Sequence, residues 1–141
     1  MAITEAHAGR RYPSTAPYPV TAAKIAEFAA ALGDGSPAYS GEHPMAPPTF
    51  AAVISAIAWQ QMFDDPELDL ALSQIVHGDQ RFAFRDPLRA GDVVQATLTI
   101  DKVRVRAGTE IISSSVVIAG VDGVERCTAT ATFVHTRSAA R

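Results

Sequence analysis

Hydrophobic residues repeat with a helical period near the start of the chain. Between residues 22 and 32 they recur at i, i+3, i+4 and i+7, as Ile25, Phe28, Ala29 and Leu32. Thr21 can cap the first turn of this segment, and Gly33 is placed to end it. The pattern therefore predicts an amphipathic helix over residues 22–32.

A second segment, from Pro44 to Phe63, carries no charged residue. Prolines at its beginning and two glutamines near its end leave an apolar part of core-helix length, too short for a membrane span. Pro48 suits the first turn of a helix, and residues 64–66 (DDP) end it. Apolar side chains cover every face in between, so we expect a helix that is buried on all sides.

The second half of the chain alternates apolar and polar residues with the period of β-strands. Strands are predicted around residues 81–85, 94–105, 111–121 and 124–135. Asp122-Gly123 is a strong signal for a hairpin turn between the last two strands, and residues 87–92 form a further turn. The apolar phase switches near Asp101, which predicts a bulge or bend.

These elements predict an α+β protein with a hot-dog fold, in which a curved antiparallel sheet wraps around one buried central helix. The length favours one domain over residues 1–141. Repeated prolines in residues 1–20 favour an extended arm with room for an edge strand, and residues 136–141 are expected to form a frayed tail. The open edge of such a sheet and the ends of its helix need a second subunit, so we expect a dimer.

Charge and composition narrow the classes of function. Lysine and arginine total 12 against 15 acidic residues, and a net charge of −3 without a basic cluster is unfavourable for nucleic-acid binding. The N-terminal residues do not resemble a signal peptide, so we expect a cytoplasmic protein without membrane association. The single cysteine excludes an internal disulfide, and the four histidines show no paired metal-ligand spacing. We therefore expect neither a metal nor another cofactor.

Residues 34–47 form a predicted loop whose length is typical of functional loops. The segment GDGSPAY (residues 33–39) resembles the motif Gly-Asp-x-Asn-Pro-x-His of MaoC-like (R)-specific enoyl-thioester hydratases. APPTF (46–50), VHGDQRF (76–82) and PLRAGD (87–92) resemble the dehydratase N-terminal-domain branch, the FAS1-like dehydratases. The resemblance covers nearly the whole chain. It implies a hot-dog fold, an acyl-CoA or acyl-carrier-protein thioester as ligand, and a homodimer or heterodimer with a second hot-dog subunit.

The motif departs from the family pattern at two positions. Hydratases of this type use an Asp and a His to activate one water, while other donors stabilise the enolate oxygen. Asp34 matches the family Asp, whereas Tyr39 stands in place of the His and Ser36 in place of the Asn. A tyrosine phenol is a poor base at neutral pH but can donate a hydrogen bond.

In this family, a degenerate motif of that kind marks the non-catalytic subunit of a heterodimer whose partner holds the working Asp and His. The resemblance therefore implies that Asp34 and Tyr39 mark a residual catalytic site that does not suffice on its own. Both residues also have a structural interpretation, because Asp34 can shape the turn of the loop and Tyr39 can pack its ring. His43 is interpreted either as a replacement for the missing His or as a solvated loop residue.

Further candidates would bind the substrate: Ser36, Thr49, Phe50, Trp59, His77 and Gly78. Thr49 and Phe50 open the second helix, whose first N–H groups can bind a thioester oxygen, although Thr49 can equally act as an ordinary cap. Pro47 and Pro48 have no N–H group and limit the number of such donors. His77, directly before Gly78 at the start of a strand, is either a structural histidine or a substitute acid/base that lines the thioester cleft.

Two further groups of residues have alternative interpretations. One group either packs in the core or lines an acyl tunnel: Trp59, Met62 and Phe63. The other alternates along a predicted strand, as Lys102, Arg104 and Arg106. These cations form either a solvated face or a surface for the phosphates of CoA or for an acidic carrier protein.

The leading hypothesis is a subunit of an (R)-specific enoyl-thioester hydratase, or (3R)-hydroxyacyl-thioester dehydratase, with a degenerate motif and a role in substrate binding. One alternative is a non-catalytic module that holds an acyl chain and completes the active site of a partner hot-dog enzyme. The other is a hot-dog acyl thioesterase in which Asp34 activates water at the carbonyl carbon.

Overall fold

Two α-helices and five β-strands make up the structure, a computed structural model that describes residues 2–137. The helices are α1 (Ala22–Leu32) and α2 (Ala51–Phe63). The strands are β1 (Tyr18–Pro19), β2 (Ile75–Phe84), β3 (Val93–Arg106), β4 (Thr109–Gly120) and β5 (Glu125–Thr136). Within the described residues, no helix is long and apolar enough to cross a membrane.

The boundaries of α1 are those predicted from the sequence. The Thr21 side chain accepts a hydrogen bond from the N–H of Lys24 at 3.1 Å, which satisfies one free donor of the first turn. Gly33 ends the helix in the left-handed conformation, with φ of 70°. Ile25 and Ala29 are buried on the side of α1 that faces the core.

The second helix begins and ends where the sequence predicts, but it is not buried on all sides. A 3₁₀ turn, Pro48–Phe50, leads into α2, and the helix ends before Asp64. Ile54, Ala58 and Met62 are fully buried, whereas Ile57 on another face is 43% exposed. The prediction of complete burial is wrong for the single chain because the sheet covers only one side of the helix.

The strands form one antiparallel sheet in the order β1-β3-β4-β5-β2. The pairing of β3 with β4 shifts between Ile100 and Lys102, which confirms the bulge predicted near Asp101. Gly123 turns the β4–β5 hairpin with φ of +87°, as the Asp-Gly pair predicts. The concave face of β3, β4 and β5 packs against α2, and the predicted α+β architecture is therefore confirmed.

The N-terminal arm lies along the outer edge of β3. The backbone N–H groups of Gly9, Tyr12 and Thr15 donate to carbonyl oxygens of β3 at 2.6, 2.9 and 2.9 Å. Arg10 and Tyr12 also donate to the carboxylate of Asp65, at 2.8 and 2.6 Å, and fasten the arm to the end of α2. The arm thus protects one edge of the sheet, while β2 forms the other edge.

A buried polar network joins the far end of the sheet to the segment after α2. Glu110 and His135 are each 2% exposed and approach at 3.0 Å, between the carboxylate and Nδ1. The N–H of Ala71 donates to Nε2 of His135 at 3.1 Å, and Arg137 donates to Glu110 and to the carbonyl oxygen of Leu68. Of the tail predicted at 136–141, Thr136 therefore belongs to β5 and Arg137 is held by this network, while residues 138–141 lie outside the described residues.

Candidate functional site

The motif loop begins immediately after α1 with two local hydrogen bonds. Oδ1 of Asp34 accepts from the N–H of Ser36 at 3.1 Å, and Oγ of Ser36 accepts from the N–H of Ala38 at 3.3 Å. Asp34 therefore shapes the turn, as its structural interpretation expects, and Ser36 caps the short 3₁₀ turn that follows. Asp34 remains exposed, so its carboxylate stays accessible from solvent.

Tyr39 closes the 3₁₀ turn Pro37–Tyr39, and its half-buried ring packs against the core. Ser36 links the two residues of the degenerate motif, because its N–H bonds to Asp34 and its carbonyl oxygen accepts from the N–H of Tyr39 at 3.1 Å. The loop then returns to itself where the N–H of Met45 donates to the oxygen of Ala38 at 2.8 Å. The structure thus places Asp34, Ser36 and Tyr39 on one compact loop.

The two candidates at the start of α2, Thr49 and Phe50, differ in their exposure to solvent. Neither the 3₁₀ turn Pro48–Phe50 nor α2 has a side-chain cap, so Thr49 does not play the capping role. Thr49 is exposed, which leaves it accessible to a ligand. Phe50 is fully buried and packs against Phe28 at 5.4 Å between ring centroids. Its side chain is therefore part of the core and does not line an open cleft.

An apolar pocket of about 260 Å³ lies beside the start of α2. We call it the Met45 pocket after its first lining residue; its lining comprises Met45, Ala46, Pro48, Phe84 and Pro87. The loop that carries the motif supplies one wall, and the end of β2 with the following turn supplies the other. None of these residues was predicted from the sequence to contact a ligand. The only signals in the sequence are the segment APPTF, which supplies the first wall, and the phenylalanines before PLRAGD, which supply part of the second.

Trp59 and His77 meet at the opposite end of α2. The Trp59 ring is 9% exposed and stands edge-on to the rings of His77 and Phe133, each with a centroid separation of 5.2 Å. Its position is that of a core residue, although its Nε1 has no hydrogen-bond partner within the described residues. His77 is exposed on the concave side of β2, and its Nε2 lies 3.0 Å from Oε1 of Gln80. Gly78 sits at a break in the pairing of β2 with β5, between His77 and Asp79.

The predicted site residues therefore fall into two groups. One group lies at the motif loop and the start of α2, as Asp34, Ser36, Tyr39 and Thr49. The other lies near the end of α2, as Trp59, His77 and Gly78. A helix rises about 1.5 Å per residue, so the ten residues from Thr49 to Trp59 separate the groups by about 15 Å. A single chain does not bring all of them into one pocket.

Outside these two clusters, the described residues offer neither a reactive thiol nor a metal site. Burial raises the pKa of Cys127 to about 11, which keeps the thiol protonated and unreactive near neutral pH. Within residues 2–137, no three His, Cys, Asp or Glu side chains are arranged to hold a metal ion. Lys102, Arg104 and Arg106 are exposed towards the far end of β3 and form no ion pair with a described residue.

Sequence comparisons agree with the resemblance found in the motifs. The family model described as "FAS1-like, dehydratase domain region" matches residues 6–125. A UPF0336 protein of Cutibacterium acnes is 51% identical over 137 residues, which cover 97% of this chain and 96% of that protein. A UPF0336 protein of Saccharopolyspora erythraea is 38% identical over 143 residues, with coverage of 95% and 92%.

Solved structures of similar shape confirm the predicted hot-dog fold. A chain of the HadBC (3R-hydroxyacyl-ACP dehydratase) complex from Mycobacterium tuberculosis matches with a TM-score of 0.79 at 28% identity, over 91% of this chain and 96% of that chain. A MaoC-like dehydratase from Rhodospirillum rubrum matches with a TM-score of 0.72 at 21% identity, over 94% of each chain. The second similarity shows the shared fold alone.

Proposed function

Because the chain belongs to the FAS1-like dehydratase family, we propose that it is a subunit of an (R)-specific enoyl-thioester hydratase, which in reverse is a (3R)-hydroxyacyl-thioester dehydratase. The observation that carries the proposal is the position of the motif loop. It places an exposed carboxylate, Asp34, on the loop that also forms one wall of the Met45 pocket. The similarity to a chain of a (3R)-hydroxyacyl-ACP dehydratase complex supports the same reaction class.

The substrate in this proposal is an acyl-CoA or acyl-carrier-protein thioester. The Met45 pocket offers apolar walls to the acyl chain, and the accessible Thr49 at the start of α2 offers donors to the thioester oxygen. Because Pro47 and Pro48 have no N–H groups, this helix start supplies fewer donors than a glycine-rich one. The cations of β3 lie at the other end of the strand from the motif loop and are not part of this site.

The chemistry shows what the motif loop lacks. Hydration requires a base that takes a proton from water, proton delivery to C2, and donors that stabilise the enolate oxygen. Asp34 can hold the water, but Tyr39 supplies only a hydrogen-bond donor where the family has a histidine. The loop therefore carries part of the machinery, and we expect the rest to come from a second hot-dog subunit. The free edge at β2 and the exposed face of α2 support such a partner.

A hydration assay tests the proposal directly. Purified chain is given short and long enoyl-CoA substrates, and loss of the conjugated enoyl absorbance is followed for the chain alone and with added hot-dog subunit that has an intact Asp-x-Asn-Pro-x-His motif. In the presence of the added subunit, we expect hydration that falls at least about 100-fold in Asp34→Asn, a loss typical of removing a group that acts in proton transfer. Tyr39→Phe removes only a donor and should cost less.

The same assay separates the alternative functions. The departure at Tyr39 favours a non-catalytic binding module as the second candidate, and such a module would alter the turnover or chain-length range of the partner without any effect of Asp34→Asn. Release of free acid and free thiol, instead of loss of enoyl absorbance, would identify a thioesterase. Absence of turnover in every combination would contradict the proposed hydratase.

A further inference from the structure

The turn between β2 and β3 forms part of one wall of the Met45 pocket. We call residues 86–92 the Pro87 turn, because Pro87 is the residue of this turn that lines the pocket. The next residue, Leu88, is buried and anchors the turn in the core. The carbonyl oxygen of Leu88 accepts a hydrogen bond at 2.7 Å from the N–H of Ala46, which lines the opposite wall. The two walls of the pocket are therefore in direct contact.

Two further contacts hold the loop wall against the Pro87 turn. The N–H of Ala90 donates to the carbonyl oxygen of Pro44 at 3.0 Å. Met45 pairs with Arg89 as an isolated antiparallel bridge. Three successive residues of the loop, 44–46, are thus bound to the Pro87 turn, so the width of the pocket depends on where that turn lies.

One side chain of β5 joins the two ends of the Pro87 turn. Nη1 of Arg126 donates to Oδ2 of Asp86 at 3.1 Å, and Nη2 lies 3.5 Å from Oδ1 of Asp92. The carbonyl oxygen of Arg126 also accepts from the N–H of Asp86 at 3.3 Å. The other oxygen of Asp92, Oδ2, accepts from the N–H of Arg89 at 2.8 Å. The restraint from Arg126 therefore extends from both ends of the turn to its middle.

The surroundings of Arg126 favour an arginine over any other cation. Its side chain is 16% exposed and that of Asp92 is 17% exposed, so water and salt screen this pair less than a surface pair. A guanidinium presents several donors in one plane and can bind two carboxylates at once. A lysine ammonium is a point charge on a flexible stem and does not fix two carboxylates in this way. The turn thus depends on the shape of the cation as well as on its charge.

We propose that Arg126 is a positioning residue that sets which acyl chains the Met45 pocket accepts. The proposal rests on the proposed function, in which an acyl chain occupies this pocket. Arg126 does not touch the substrate; it holds the Pro87 turn, and the turn holds residues 44–46 at the distance that leaves a cavity of about 260 Å³. A butyryl chain fills little of this cavity, whereas an octanoyl chain needs both walls, because each buried CH₂ group adds to the affinity.

Amide hydrogen exchange tests the coupling between turn and loop without any ligand. In Arg126→Gln, we expect the N–H groups of Ala46 and Ala90 to exchange at least about tenfold faster relative to that of Val116, because the turn opens locally while the central strand β4 does not. Arg126→Lys keeps the charge but not the planar group, so it should restore only part of the protection. A uniform increase at all amides would show that Arg126 only stabilises the fold as a whole, and would overturn its positioning role.

Two further variants complete this experiment. Arg85→Gln is the matched control, because it removes the same charge from an exposed arginine whose side chain pairs with Glu125 at 3.6 Å, outside the Pro87 turn. It should leave the relative exchange rates unchanged. Asp86→Asn removes one end of the contact at an exposed carboxylate and should act in the same direction as Arg126→Gln. It provides the test should Arg126→Gln not fold.

Titration calorimetry with butyryl-CoA and octanoyl-CoA tests the effect on specificity. The chain is titrated together with the hot-dog subunit used in the hydration assay. We expect Arg126→Gln to weaken octanoyl-CoA binding about tenfold, as the loss of one or two buried CH₂ groups would, and to leave butyryl-CoA binding nearly unchanged. Arg85→Gln should change neither affinity. Partial unfolding would lower the number of binding sites but not the ratio of the two affinities, so a merely structural role gives a different result.

The outcomes separate this proposal from the proposed function. Equal weakening of both ligands, or no change in either, would overturn the role of Arg126 in specificity and leave the hydratase function intact. A wild-type complex that hydrates enoyl-CoA without any preference for the octanoyl chain would place the acyl chain outside the Met45 pocket and overturn this proposal alone. A complex that binds neither ligand would contradict the proposed function and this proposal with it.

Discussion

Asp65 shows how one side chain joins the arm to the end of α2. Its Oδ2 accepts hydrogen bonds from Arg10 and Tyr12, and its Oδ1 accepts from the N–H of Glu67 at 3.0 Å. Burial alone would raise the pKa of Asp65, but the bonds from Tyr12 and Arg10 outweigh burial and hold it below its usual range. A carboxylate with a depressed folded-state pKa stabilises the fold above its unfolded pKa, and this stabilisation is lost as the pH falls through the folded value.

We therefore predict that Asp65→Asn lowers the free energy of unfolding by about 1–3 kcal/mol at pH 7, the usual cost of removing a charged hydrogen-bond partner. The difference between variant and wild type should shrink below about pH 4, where the unfolded chain takes up the proton first, and vanish as the pH falls through the lower pKa of the folded carboxylate. Urea unfolding at pH 7 and pH 3 measures both effects. Asp64→Asn, at the exposed neighbouring carboxylate, is the control and should change little; a difference that is the same at both pH values would contradict the role of the charge.

At the scale of residues, the sequence shows which residues belong to the motif better than it shows what their side chains contact. The motif pattern singles out Asp34 and Ser36, and the structure shows that both also satisfy the backbone of their own loop. Phe50 sits in the resembling segment APPTF yet is buried in the core, since a motif does not state which side chains point inward. Phe84 was missed as a pocket residue, because its place beside Met45 depends on a tertiary contact that no local pattern reveals.

Helix α2 presents two isoleucines with different surroundings. Ile54 is fully buried under the sheet, and Ile57 is 43% exposed on the face that a second subunit would cover. We predict that Ile54→Ala costs about 2–5 kcal/mol of unfolding free energy, as truncation in a packed core does. The loss should be the same at all protein concentrations. Ile57→Ala should reduce stability only at concentrations where the chain dimerises, because binding stabilises the folded state by mass action.

Denaturant unfolding at a low and a high protein concentration distinguishes the two positions. If Ile57→Ala is as costly as Ile54→Ala at the low concentration, Ile57 belongs to the core of the single chain. This contrast also explains the error in the sequence prediction for α2. Apolar residues on every face indicate that the helix is buried on all sides in the assembled protein. It does not report whether the cover comes from the same chain, and so the helix boundaries were predictable while the complete burial was not.

The strands show the same division between local and distant information. Alternation of apolar and polar residues predicted the long strands, the bulge near Asp101 and the hairpin turn at Asp122-Gly123, because each has a short-range cause. The second irregularity, next to Gly78, was not predicted. The segment from Val76 to Gln80 has no apolar alternation in which a change of phase could be seen, and of its five residues only Gln80 is half-buried.

At the scale of the whole molecule, the arm leaves the sheet formed by residues 2–137 with one open edge, at β2. One open edge allows a chain to pair once and then stop, whereas two open edges allow chains to add without limit. The hydrogen bonds of Gly9, Tyr12 and Thr15 to β3 are therefore expected to limit assembly to a closed pair as well as to stabilise the fold. The sequence predicted an extended arm from its prolines, but only the tertiary structure shows which edge it covers.

Removal of residues 2–17 should convert a dimer that cannot grow into an assembly to which further chains can add. The truncated chain loses both the backbone bonds to β3 and the bonds of Arg10 and Tyr12 to Asp65, so we expect a lower free energy of unfolding and species larger than a dimer. The double variant Arg10→Gln, Tyr12→Phe is the matched control, because it loosens the arm without removing the backbone that covers β3. It should lose stability but not grow beyond a dimer. Sedimentation velocity over a range of concentrations measures the assembly, and a truncated chain that stays dimeric would show that the arm is not what closes this edge.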